Sequence, residues 1–555
     1  MRRHAREPDY MKIPPLPIHE FRRIESRGPY FIPELAANRR CTDKFFDVIF
    51  FINVSFLVVF TVVVIWDKNL TYGLYGQDAC GNVCGIKNVY ITNMSEGCKV
   101  TDYTDYPIFL YEKNRAMCIR EEDCKAPEKK LVHRRCFPEN MERSRLERLL
   151  YETLVHSLES MSTILAMMLV ALFLCLLMYL CYLINAHITS MTLTFAGIIF
   201  VTLISINSWF LFFKYYKIVY MLPSVLTLIY LAAVVIVLIL VGDSFTLVIG
   251  LYAQAIKMIR KAPVLLFQPL ISIAFVFAVD AALVYMILVL QFCADNVKLA
   301  HMSYHTWYAV FLFLMVYWLY GMANGCQCMI VAGVTAAHFF TREEPPHCAY
   351  LRSVWVTLRY HLGSVGAGSC VLTFVRIFMP IATCFENNKI CFVLFNQCCE
   401  LVKAHASYFT KKAYIMTALH GRSLHPSGLR TARLVWLFMC DIIAIDNLAC
   451  TCMHMASFFF LLCSLLVFTL MTAQLELASG ARLAVIVLIF SGTITFFYVS
   501  LMNTVVETLI VCFCEDRHMN DGSRYNPYYM NSELFGLMID ALELAYKETQ
   551  TQEDS

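Results

Sequence analysis

The sequence predicts an all-α, polytopic membrane protein of about ten transmembrane helices, with a disulfide-containing extracellular loop between helices 1 and 2. Three observations carry this. First, 59% of the 555 residues are hydrophobic and only 16% are charged, whereas soluble domains run near a quarter charged. Second, the apolar residues gather in repeated runs of the roughly 20 residues that an α-helix needs to cross a bilayer core. Third, a single large hydrophilic insertion, residues 67–160, holds a cluster of six cysteines apart from those scattered through the apolar runs. The net charge of +3 is too small to argue for nucleic acid, and no basic stripe interleaves with aromatics outside the apolar runs.

Residues 1–44 form an expected cytoplasmic tail. Pro14, Pro15, Pro17 and Pro29 break any helix, and Arg39, Arg40 and Lys44 beside the first span hold that end inside. No cleavable signal peptide is visible in this polar stretch, so span 1, residues 45–66, is expected to be a retained anchor. In the loop, Cys80, Cys84, Cys98, Cys118, Cys124 and Cys136, with the acceptor sequons at Asn69 and Asn93, indicate an oxidised, glycosylated extracellular domain. Six cysteines allow 15 pairings, and the spacing does not choose among them. A zinc site at Cys80 and Cys84 is the alternative.

The bundle occupies 161–506. Spans 2, 3 and 4 are expected at 162–184, 191–213 and 219–241. Residues 242–263 are amphipathic, with Lys257, Arg260 and Lys261 near the end. They are expected to lie on the cytoplasmic interface; a re-entrant segment is the alternative. Span 5, 264–291, carries Asp280. Span 6, 306–341, has no formal charge: its first half is aromatic (Tyr317, Trp318, Tyr320), and its second turns small and polar (Gly321, Asn324, Gly325, Gln327, Ala332-Gly333). That composition suits a helix facing other helices, around a cavity or in close packing. Span 7, 361–384, holds Gly363, Gly366, Gly368 and Arg376. The loop 403–436 is basic, with Arg422, Arg430 and Arg433, and is expected inside. Parity then requires 391–414 to contribute span 8. Spans 9 and 10 follow at 448–471 and 483–505. A polar cytoplasmic tail, 507–555, includes a short helix near 532–546. Both termini are expected in the cytoplasm.

Several blocks, in order along residues 40–530, resemble the choline transporter-like family. They are Arg40-Cys41-Thr42-Asp43, Gly81-Asn82-Val83-Cys84-Gly85, Cys136-Phe137-Pro138, Leu358-Arg359-Tyr360-His361-Leu362-Gly363-Ser364 and Ala413-Tyr414-Ile415-Met416 with Gly421 after it. Cys514-Glu515-Asp516, Asn520-Asp521-Gly522-Ser523 and Pro527-Tyr528-Tyr529-Met530 complete the set. One departure is Asn447 after Ala444-Ile445-Asp446, where the family often has lysine. The resemblance implies a ten-span plasma-membrane transporter of choline or a related amine such as ethanolamine. It further implies transport without strict sodium dependence, and proton coupling.

Choline is a permanent cation with no N–H donors, so a site must replace its hydration with aromatic faces, at roughly 0.5–2 kcal/mol each. Tyr317, Trp318 and Tyr320 are the candidate rings, with Asn324 beyond them. Positions 317 and 320 share a helix face and 318 points away; lipid contact or packing is the alternative for each. Asp280 and Arg376 lie deep in apolar sequence, where an unpaired charge is costly. Asp280 attracts the ammonium, carries a coupled proton, or pairs with Arg376. Asp446, Glu507, Arg359 and Arg376 are candidates for gating or coupling. The histidines (His338, His361, His405, His420, His454) show no His-box spacing, and there is no Gly-x-Ser-x-Gly, H-E-x-x-H or Walker motif. Neither an enzyme nor a cofactor or metal site is expected. A channel or scaffold is the alternative to a carrier.

Overall fold

A computed structural model describes residues 39–67, most of 76–138, 160–215, 242–293, 302–341, 348–384, 411–438, 442–471, 477–520 and 527–540, with a few isolated positions. The first element, α1 (Lys44–Asp67), has charges only at its ends and near its start, so its apolar middle forms an uninterrupted helix. The described residues of the loop that follows form four short strands: β1 (Ile108–Glu112), β2 (Arg115–Ile119), β3 (Lys129–Val132) and β4 (Arg135–Pro138). They form one sheet in the order β2-β1-β4-β3, with β1 and β4 parallel and the outer pairs antiparallel.

The sheet's apolar centre is small, built from Ile108, Leu110, Cys124 and Cys136. So small a core cannot hold a domain alone, and disulfides supply the constraint. The six loop cysteines are oxidised, paired Cys80–Cys98, Cys84–Cys118 and Cys124–Cys136. Cys80 and Cys84 belong to different disulfides, which removes the zinc alternative. Asn69 and Asn93 lie outside the described residues.

The bundle comprises α2 (Met161–Ile184), α3 (Ala186–Tyr215), α4 (Gly242–Lys261), a 3₁₀ turn (Pro263–Phe267) running into α5 (Gln268–Cys293), and α6 (Met302–Phe339). It continues with α7 (Ala349–Tyr360), α8 (Leu362–Cys384), α9 (Lys411–His420), α10 (Leu424–Phe438), α11 (Ile442–Met471) and α12 (Leu477–Met519). Among the described residues, six helices are long and apolar enough to cross a bilayer. With the mainly helical bundle and the disulfide-linked loop, they make this a polytopic all-α membrane protein.

Side-chain contacts give the helix directions. Phe50 meets Trp318 and Phe56 meets Phe311, so α1 runs antiparallel to α6. Tyr320 meets Phe496 and Asn324 meets Ser500, so α6 and α12 run parallel, away from the loop end. The expected span 4, 219–241, lies almost wholly outside the described residues, as does span 8, 391–414, except for its last four positions, which are the start of α9.

Three features differ from the sequence expectation. α7 was not expected: the expected start of span 7 at 361 agrees with α8, and α7 meets it at His361, whose backbone leaves the helix with φ −124° and ψ 9°. The expected basic loop 403–436 instead contains two packed helices, α9 and α10, joined at Gly421, where φ is +68°. Ala413–Leu419 are buried, because the apolar side chains between the basic ones pack inward. Finally, α12 runs past the expected boundary at 506 to Met519, with Cys512 to Asp516 buried rather than solvated. Hydropathy reads Glu515 and Asp516 as a helix end; here protein partners satisfy both.

α4 fits the amphipathic expectation. Val248, Leu251, Tyr252, Ala255 and Ile259 are buried against the bundle end opposite the loop, while Lys257 and Arg260 are exposed.

Candidate functional site

The seam between α6 and α12 carries several of the polar groups of the bundle interior. Residues 320, 324 and 327 recur at helical spacing, so one face of α6 carries Tyr320, Asn324 and Gln327. Tyr320 packs its ring 5.6 Å from Phe496 and 5.5 Å from Phe497. One turn on, Asn324 Oδ1 accepts a hydrogen bond from Ser500 Oγ at 2.8 Å. Beyond it, Gln327 Nε2 donates to the Phe497 carbonyl at 2.7 Å. Gln327 is fully buried, yet its Oε1 has no hydrogen-bond partner among the described residues; the Tyr498 hydroxyl on α12 is in the same position. A buried polar atom left unmatched costs about 1–3 kcal/mol, so such groups mark places where a ligand or water completes the arrangement.

Close approach is built into α6. A Cβ at Gly325 would sit 2.8 Å from Val365 of α8, and one at Gly333 would sit 2.4 Å from Ser353 Oγ of α7. Ser353 donates to the Ile330 carbonyl across that contact. These glycines draw α7 and α8 onto the side of α6 that does not face α12.

The sequence-predicted residues separate in space. Tyr320 and Asn324 line the seam. Tyr317 is half-buried one turn before Tyr320 on the same face. Trp318 faces α8 and α1: its indole N–H donates to Ser369 Oγ at 3.0 Å and to the Gly366 carbonyl at 3.2 Å, and its ring meets Phe50 edge-on. Asp280 is half-buried on α5. Phe277, one turn before it, packs against Phe490 of α12, so this side of α5 faces the same helix as Tyr320. Glu507 is buried on α12 with Lys411 Nζ 3.9 Å away. Arg359 is exposed at the end of α7. Arg376 and Asp446 belong to α8 and α11, but their side chains lie outside the described residues.

Two further clusters occupy the end opposite the loop. In the first, Glu515 is fully buried and accepts from Arg430 Nε at 2.7 Å and Nη2 at 2.8 Å. His420 Nε2 lies 3.0 Å from the same carboxylate. Burial holds the His420 imidazole below its ordinary pKa, although Glu515 pulls the other way. Arg430 already matches the carboxylate charge, so a neutral imidazole donating its N–H suits the site. Next in the chain, Asp516 Oδ2 accepts the Tyr529 and Met530 backbone N–H groups and so pins the segment after α12.

The second cluster ties residues 39–43 across the start of α8. Asp43 Oδ2 accepts from Ser364 Oγ at 2.5 Å and from the Leu424 N–H at 3.0 Å. Thr42 Oγ1 lies 2.9 Å from His361 Nδ1. Arg39 donates to His361 Nε2 and to the Ala418 carbonyl. Thr42 and Asp43 stand in one sequence block and His361 and Ser364 in another, and nothing local in the chain joins them. The only available signal was several charges sitting in or beside apolar runs.

A family profile described as plasma-membrane choline transporter matches residues 225–518, just over half of the chain and all of α4 to α11 with nearly all of α12. Choline transporter-like protein 1 of Rattus norvegicus is 26% identical over 330 residues, covering 54% of this chain and 48% of that protein. The protein of the same name from Torpedo marmorata is 24% identical over 322 residues, covering 53% and 49%. Choline transporter-like 2 of Drosophila melanogaster is 26% identical over 255 residues, covering 42% and 30%. The aligned region spans about half the length of the first two relatives.

Proposed function

The chain belongs to the choline transporter-like family, and from that premise we propose that it carries choline or a related organic amine, ethanolamine included, across the plasma membrane. The observation that supports this most is the α6–α12 seam. The Tyr320, Phe496 and Phe497 rings adjoin Asn324, Ser500 and the unmatched Oε1 of buried Gln327. A quaternary ammonium offers no N–H and is held by ring faces; the hydroxyl of choline needs a donor or acceptor beside them. Tyr317 and Tyr320 take the ammonium in this reading, and the Asn324 and Gln327 amides take the hydroxyl. Asp280 biases the entrance toward cations.

The finer reading follows the family. Transport does not strictly require sodium and couples to protons, with Asp280 and Glu507 as the carboxylates able to take one up. Arg359, Arg376 and Asp446 serve gating or coupling. Both termini lie in the cytoplasm, and the disulfide-linked loop is extracellular with glycans at Asn69 and Asn93. Trp318 keeps a structural share in this scheme, since its N–H is engaged on α8.

Uptake of radiolabelled choline by the full-length chain in vesicles with an imposed pH gradient tests the proposal. Tyr320→Ala is expected to weaken apparent affinity about 2- to 30-fold, the range of one cation–π contact. Asp280→Asn is expected to lower the rate or its dependence on the pH gradient. Normal affinity in Tyr320→Ala and Asn324→Ala together with a normal rate in Asp280→Asn would reject the seam as the substrate site. Failure of wild type to take up any labelled amine would reject the transport reading itself.

A further inference from the structure

α7 is short and amphipathic, and it carries its large apolar side chains outward. Leu351, Trp355 and Leu358 are 64%, 61% and 52% exposed. Their i, i+4, i+7 spacing puts them on one stripe of the helix. Arg352 and Arg359 are also exposed and lie beside that stripe, along one edge. The opposite face is spoken for: Ala349 and Thr357 are buried, and Ser353 donates to the Ile330 carbonyl of α6. A water-facing helix would carry the reverse pattern, since an exposed stripe of Leu, Trp and Leu loses about 25 cal/mol per Å² by staying in water.

Its neighbours show what covers the stripe. Tyr350 donates to Gln268 Oε1 at 2.7 Å, which moors α7 beside the start of α5. There Phe267 and Ile271, 62% and 56% exposed, belong to one of the helices long enough to cross a bilayer. The outward apolar surface of α7 therefore continues a lipid-facing surface. Its basic edge and the exposed Lys261 that precedes α5 fall at the same end. Apolar groups with an interfacial tryptophan, bordered by arginines, match an acyl–headgroup boundary carrying negative charge.

We propose that α7 docks flat on an anionic bilayer surface, with Leu351, Trp355 and Leu358 among the acyl chains and Arg352 and Arg359 on anionic phospholipid headgroups. The contact reaches the cluster at the start of α8. α7 ends at His361, which holds Thr42 and Arg39, and the Cys41 thiol donates to the Arg359 carbonyl. Lipid that fixes α7 thereby steadies residues 39–43. This inference does not depend on which amine is carried.

Hydrogen exchange of the full-length protein in nanodiscs tests it. Two compositions serve: phosphatidylcholine alone, and phosphatidylcholine with about 30 mol % phosphatidylserine, enough to give an anionic surface potential. Exchange over 349–360 in wild type is expected to slow on adding phosphatidylserine, by up to about fivefold per engaged arginine. About 0.5 M salt should remove most of that gain, because the Debye length contracts to a few ångströms. In Arg352→Gln/Arg359→Gln the phosphatidylserine gain should vanish while protection in phosphatidylcholine stays at the wild-type level. Trp355→Ser should speed exchange in both lipids. Equal wild-type exchange in the two lipids at low salt would overturn the proposal. So would a gain that survives removal of both arginines, or protection that appears only when another protein is added.

Discussion

Asp43 has a left-handed φ of 52°, a conformation costing a non-glycine residue about 1–3 kcal/mol. It is held because the carboxylate accepts from Ser364 and from the Leu424 N–H, fastening three parts of the chain at once. Asp43→Ala, which keeps the strain and deletes the acceptor, should cost about 2 kcal/mol. Asp43→Asn, which tolerates the same φ, should cost less; thermal unfolding in detergent ranks the two. Glu515 is the more exacting position. Replacing it with Gln leaves Arg430 buried without its counter-charge, an expected loss of about 3–5 kcal/mol. The Glu515→Gln/Arg430→Met double variant should unfold later than Glu515→Gln alone. His420 sets an acid limit on the same cluster. Its folded pKa is depressed, so the unfolded chain takes up the proton first. Stability should therefore fall as the pH drops below about 6.5, and a His420→Gln variant should show a flatter profile over that range. None of this partnership was readable locally: Glu515 and Arg430 stand 85 positions apart, and each taken singly looks like a solvated end.

At the scale of elements, glycines decide how near the helices come. A Cβ at Gly363 would meet the Asp43 carbonyl at 2.5 Å and the Thr42 carbonyl at 2.8 Å. Both are backbone atoms, which cannot swing aside. Gly363→Ala should thus lift residues 39–43 from α8 at a cost of about 1–3 kcal/mol, seen as faster hydrogen exchange or proteolysis at 39–43. Among the described residues a Cβ at Gly492, by contrast, would meet a leucine methyl at 3.7 Å and nothing nearer, and Gly492→Ala should leave stability nearly unchanged. The sequence located the glycines of span 7 and the small, polar second half of span 6, because composition alone marks a close-packing face. It could not assign partners. Gly325 and Gly333 turned out to admit α8 and α7, while Tyr320, Asn324 and Gln327 meet α12. Helical spacing already turned Trp318 away from Tyr317 and Tyr320; only the structure supplied its neighbours, Phe50 of α1 and Gly366 and Ser369 of α8.

For the molecule as a whole, the loop and the bundle are held by different forces. The Cys84–Cys118 disulfide closes 34 residues, a constraint of about 3–4 kcal/mol in chain-entropy terms. Cys84→Ser/Cys118→Ser should accordingly expose the β1–β4 sheet to exchange while leaving Glu515, Arg430 and the α6–α12 seam protected. Loss of protection in both together would show the two to be one cooperative unit. By itself the sequence determined that the chain crosses a membrane many times. It also placed most of the helices that the structure describes and marked the six loop cysteines as an oxidised set. These are properties of local composition, since burying apolar side chains in lipid requires only a run of sufficient length. The tertiary structure alone decided which cysteines pair, that a separate helix α7 precedes α8, why the basic stretch 411–438 folds into packed helices, and which polar groups share the seam. Each depends on a partner distant in the chain, and desolvation makes the match between such partners decisive without leaving a mark on the residues adjacent in sequence.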